Sequence, residues 1–142
     1  MQRLLEEHLF WATMYSRWRY TDTNWQVNKK LFGVILPVIC DIAAAYFRNK
    51  IKKQIYGHGI RRHKTEEIFK LGMLDIDALS ACLGDKKYFL GEQPTTLDAS
   101  AFGILINTFG RPIESPLKEC GLSKDNLTNF VTRIKAHFYP DL

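Results

Sequence analysis

The sequence predicts an all-α protein, a single bundle of five to six helices. Three observations carry this. Apolar residues recur every three or four positions along nearly the whole chain. Proline, glycine and threonine stand where helices would start and stop. No stretch alternates β-branched and polar residues as a strand would.

The first helix reads from Leu4, His8, Trp11, Tyr15 and Trp18, which share one face. It is expected to end before the polar, turn-prone run at 20–24. A second helical region spans about 28–56. Between Val34 and Phe47 it is apolar on almost every side, the pattern of a central, buried helix. Pro37 is expected either to start this helix or to kink it. Asp41 within it then needs a buried partner, an arginine or a tyrosine, because an unpaired buried charge is costly. Gly57, His58 and Gly59 stop the helix.

Thr65 is a suitable N-cap for a third helix, with Glu66 and Glu67 in its first turn. That helix is expected to end at Gly84. The fourth has the clearest start: Thr95 stands three residues before Asp98, the spacing of a reciprocal capping box. Phe102, Leu105, Ile106 and Phe109 form its stripe, and Gly110, Arg111 and Pro112 end it. A loop through Pro116 and Gly121 leads to a last helix from Ser123, carrying Leu127, Phe130, Val131, Ile134 and Phe138.

The bulk properties narrow the function. At 142 residues the chain fits one domain. Its 46% hydrophobic and 25% charged residues are ordinary for a soluble protein, and its 13% aromatic share asks for a large core, cleft or interface. The three cysteines, Cys40, Cys82 and Cys120, form no CxxC pair, so neither structural zinc nor a disulfide framework is expected. No secretory signal is expected in the charged opening residues, and the longest apolar run, 31–47, is shorter than a membrane span. The four histidines make no HxxxH or HExxH pattern, so no metal site is expected.

The net charge of +5 is concentrated. Arg48, Lys50, Lys52, Lys53, Arg61, Arg62 and Lys64 lie between Asp41 and Glu66 with no acid among them. Either this is a solvated helix end favoured by the helix dipole, or it attracts an anion, with Arg61, Arg62 and His63 as candidate ligands. Nucleic acid is not expected, since no reader motif accompanies the charge. Arg17 and Arg19 are expected to point to solvent.

Two segments carry a family resemblance. The run Gly57, Gly59, Arg62, His63, Glu66, Glu67, Ile68 resembles the GxGxxRHxxEEI segment of the Fax (failed axon connections) branch of glutathione-transferase-like proteins. The run Phe89, Leu90, Gly91, Pro94, Thr95, Asp98, Ala99 resembles a segment of glutathione-transferase C-terminal domains generally. The first helix and the ending, Phe138 to Leu142, fit the Fax and metaxin branch as well. The resemblance implies a glutathione-transferase C-terminal-like helical bundle over 1–142.

It implies, further, that a thioredoxin-like N-terminal domain is missing from these residues as a partner, and that glutathione and its activating residue belong to that domain. No cofactor is then expected on this chain, and no catalytic residue. The domain would supply the wall for a hydrophobic small molecule, through Trp11, Tyr15 and Trp18, and contacts of a cytoplasmic homodimer. Thr95 and Asp98 would have a folding role. The resemblance leaves a second possibility, a non-enzymatic protein-interaction domain of the Fax or metaxin type.

Overall fold

The computed structural model describes residues 1–30 and 37–140. The start of the expected second helix, at 31–36, lies outside the described residues, as do the side chains of 37–40, Cys40 among them, and the terminal Asp141 and Leu142.

The described residues form seven helices and no strand. Helix α1 covers residues 2–20, with π turns at Leu5–Leu9 and Ser16–Tyr20. Next come α2 (Asp22–Lys29), α3 (Pro37–His58) and a 3₁₀ turn at Ile60–Arg62. The remainder comprises α4 (Thr65–Leu83), α5 (Thr96–Thr108), α6 (Pro116–Leu122) and α7 (Asp125–Phe138). The two helices beyond the expected five are the short α2 and α6. Each is opened by a hydroxyl cap: Thr21 accepts from the amide of Asn24, and Ser115 from that of Lys118. The run at 20–24 is therefore a helix start, where a loop was expected. The last helix begins at Asp125, two residues past Ser123.

Pro37 is the first residue of α3, where its missing amide hydrogen costs nothing. Gly59, at φ +96°, reverses the chain after α3, and Gly84, at φ +53°, does so after α4. Thr65 is not the N-cap expected: Lys64 holds that position, and its amide donates to the Glu67 carboxylate at 3.0 Å. The Thr65 hydroxyl instead lies 2.8 Å from that of Tyr15, tying α4 to α1.

Helices α1, α4, α5 and α7 surround one core. Leu5, Leu9 and Ala12 of α1, Ile76 and Leu79 of α4, Leu105 of α5 and Phe130 of α7 are all fully buried in it. Short α6 packs on α4 and α7. Two buried asparagines bind the outer elements to this core. Asn24 donates to the carbonyls of Ser16 and Glu114 and accepts from the Glu114 amide. Asn28 donates to the carbonyl of Asn24.

The described part of α3 is not a central helix. Ala44 and Ile55 face inward and are fully buried, but Ile42 is 68% exposed, Tyr46 64% and Tyr56 63%. Asp41 is likewise on the surface, and Lys29 Nζ meets it at 2.6 Å. The reason is geometric. α4 fills the place beside α1 that the all-round apolar pattern suggested for α3, so only one side of α3 touches the bundle.

Candidate functional site

The side chains of α1 that do not enter the core still fall on a line. Phe10, Met14 and Arg17 succeed one another at helical spacing and face α5, where Ile104 and Asn107 answer them. The two helices enclose a groove of about 290 Å³ with Phe10, Met14 and Ile104 as apolar walls. Below it, Thr108 donates to the carbonyl of Ile104 and the Thr13 hydroxyl lies 2.8 Å from Thr108, so these buried hydroxyls are satisfied inside the wall.

Arg17 closes one end. Its Nη1 donates to Asn107 Oδ1 at 2.7 Å and its Nη2 to Asn28 Oδ1 at 2.9 Å. Both partners are neutral amides, and Nε is buried with no partner among the described residues. Burial, and then the nearby Arg111, lower its pKa. A cation oriented by neutral groups at the end of an apolar groove suits a ligand with an apolar body and an anionic or acceptor end.

Comparison with known proteins fits this helical architecture. Residues 72–134 match the family model described as glutathione S-transferase, C-terminal domain. Failed axon connections of Drosophila melanogaster is 34% identical over 150 residues, an alignment that covers 97% of this chain and 36% of that protein. The chain is a glutathione-transferase-like C-terminal domain of the Fax and metaxin branch. Isoprene-epoxide–glutathione S-transferase of Rhodococcus sp. (strain AD45) is 29% identical, over 96% of this chain and 58% of the relative. Metaxin-2 of Homo sapiens is 27% identical, over 97% and 53%. The chain thus spans between about a third and three fifths of the length of these relatives. No solved structure matches it.

Within this glutathione-transferase-like domain the residues singled out in the sequence fall into three places. Trp11, Tyr15 and Trp18 lie outside the groove lining, one residue on from Phe10, Met14 and Arg17, with Trp11 edge-on to Phe10 at 5.3 Å between centroids. Tyr15 and Trp18 are 8% and 7% exposed, Tyr15 edge-on to Phe69 and Trp18 beside Trp25. Trp11 is half-buried and stacks on the His58 ring, centroids 4.6 Å apart. Arg61, Arg62 and His63 do not converge. His63 lies 3.5 Å from the Glu67 carboxylate, while Arg61 joins Arg19 and Lys52 around another recess. Arg17 and Arg19 therefore line clefts, where solvent had been expected for both. Asp98 is buried and accepts from the amides of Phe89 and Thr95 at 2.8 Å each and from the Thr95 hydroxyl at 2.7 Å.

The groove residues Phe10, Met14, Arg17, Ile104 and Asn107 went unread in the sequence. Their spacing was visible, but the tryptophans beside Phe10 and Arg17 gave the stronger aromatic signal. Among the described residues no group of three or more His, Cys, Asp and Glu could hold a metal ion, and no helix is long and apolar enough to cross a membrane.

Proposed function

We propose that this domain forms the apolar-ligand wall of a glutathione-transferase-like protein, with the α1–α5 groove as the ligand site. The groove is the observation that supports this reading, since it lies along the helix that the family resemblance makes the substrate wall. A thioredoxin-like half would close over it and bring glutathione with its activating residue. The electrophile would rest on Phe10, Met14 and Ile104, and Arg17 would orient its polar end. The free thiols Cys82 and Cys120 fit a reducing, cytoplasmic setting.

The test is glutathione conjugation to an epoxide by a protein containing both halves. Phe10→Ala with Met14→Ala is expected to raise KM for the epoxide roughly tenfold, the loss of about 1.4 kcal/mol of apolar contact. KM for glutathione should stay unchanged. An unaltered epoxide KM would remove the groove from the reaction.

A second reading is a protein-interaction domain. The outward stripe of α3 favours it: Ile42 and Tyr46 stand exposed, followed on the same side by Lys53 and Tyr56. That stripe suits a partner face with an apolar centre and a carboxylate edge. Similarity to Failed axon connections and metaxin-2 fits this reading no worse than the first. Solution mass at tens of micromolar separates self-association, the homodimer, from a surface kept for another protein.

A further inference from the structure

On the opposite side of α1 from Arg17, Arg19 turns toward α3 and the 3₁₀ turn. There Arg19, Lys52 and Arg61 line one recess of about 220 Å³, with the fully buried Ile55 as its apolar floor. Three separate elements deliver these cations, and no carboxylate lines the recess. The nearest acid, Asp22, is turned to water and engaged by Arg48, Nη2 to Oδ1 3.3 Å. Arg48 is itself stacked over the Trp25 ring at 4.6 Å, so its charge is held beside the recess.

The concentration of like charge is felt by Lys52. Its ammonium is held below the usual lysine range, first by burial and then by Arg48, Arg19 and Arg61, with Asp22 opposing. The fold thus gathers cations whose repulsion Asp22 offsets only in part, and Gly59 at φ +96° sets the turn that places Arg61. Repulsion of this kind is offset when an anion enters, and a dianion offsets more of it than a carboxylate. Guanidinium groups present parallel N–H donors that match the oxygens of a phosphoryl group, while lysine adds a point charge. The methylene stems of Arg19, Lys52 and Arg61 offer apolar contact to the ester carbon next to the phosphate.

We propose that the recess formed by Arg19, Lys52 and Arg61 is a binding site for a phosphate monoester. It is independent of the α1–α5 groove and of any conjugation reaction. The phosphate can belong to a soluble ester or to a lipid headgroup, both of which present the same dianion.

The intact chain is titrated calorimetrically with inorganic phosphate and with phenyl phosphate, ionic strength being held constant with chloride. Saturable binding is expected, tighter for phenyl phosphate, and at least tenfold weaker in Lys52→Gln with Arg61→Gln. Lys118→Gln, on distant α6, should leave it unchanged. The double variant should melt no lower than wild type without phosphate, because like-charge repulsion has been relieved, and phosphate should raise its midpoint less. Equal affinity in the two proteins, or phosphate binding no tighter than chloride, overturns the site. Neutral vesicles doped with phosphatidylinositol 4-phosphate or with phosphatidylserine identify the source. Binding to the first alone, displaced by phenyl phosphate, assigns a lipid headgroup. Titration without vesicle binding assigns a soluble ester. Equal binding to both vesicles overturns a phosphate-specific site in favour of general charge attraction.

Discussion

Helix α3 and the unit from α4 to α7 are built from similarly apolar sequence, yet they are packed differently. In the second unit every long helix turns a single stripe inward: Ile68, Ile76, Leu79 and Leu83 of α4, Leu105 of α5, and Leu127, Phe130 and Ile134 of α7. In α3 the inward positions are Ala44 and Ile55, and residues as apolar as Ile42 and Tyr46 remain in water. The difference lies in polar residues, not apolar ones. Lys70, Asp77 and Thr132 mark the outer sides of α4 and α7. The stretch from Ala43 to Phe47 has no charged or amide side chain to mark any side. An apolar pattern without a polar counterpart names no direction, and the bundle, already closed by α1 and α4, covers one face only.

The strongest way to break the packed unit is at Asp98. Its two oxygens accept three hydrogen bonds while the residue is 1% exposed. Asp98→Ala strands the amides of Phe89 and Thr95 in the interior and removes the start of α5. A loss of about 3 kcal/mol is expected, read as a fall in thermal midpoint of roughly 10 °C. An unchanged midpoint would show that the loop at 85–95 folds without its anchor.

Next in size is a pair of substitutions within α3 itself. Ile55→Ala should cost about 3 kcal/mol by urea unfolding, as a buried truncation does. Ile42→Ser should stay within about 0.5 kcal/mol of wild type. A comparable cost at Ile42 would place it against a covering surface, and if that cost appears only at high protein concentration the cover is a second copy of the chain.

How much was legible follows the same physics. Helix ends at Pro37, Gly59, Gly84 and Thr96 could be read because each is a local choice of one residue's backbone or cap. The inward face of α1 was read from Leu4, His8, Trp11, Tyr15 and Trp18; Tyr15 and Trp18 are buried, but in the first half of the helix Leu5, Leu9 and Ala12 are the fully buried residues. Two π turns rotate the helix relative to a regular 3.6-residue repeat, and nothing in the residues announces them. The groove and the cationic recess were illegible for a further reason. Phe10 and Ile104, or Arg19 and Arg61, meet only after α5 and α3 have been placed beside α1. Charge clustering pointed to Arg61, but it paired that residue with sequence neighbours when the fold pairs it with Arg19 and Lys52.

The smallest effect sharpens the comparison where α1 meets α4. Asp75 is buried and bonded to His8 Nδ1. Burial raises its pKa above the usual carboxylate value, and the bond and charge of His8 only partly oppose this. A carboxyl raised in the folded state binds its proton more tightly there than in the unfolded chain. Its contribution to stability is therefore full below the unfolded pKa, near 4, and is lost as pH rises through the higher folded value. Asp75→Asn keeps the shape without the titration. Urea unfolding of both proteins across this range should show wild type losing stability relative to Asp75→Asn as pH increases. A difference that rises with pH would mean that the charged His8–Asp75 pair outweighs the burial of the carboxylate, and that α1 is fastened to the packed unit by an ion pair and not by its apolar face alone.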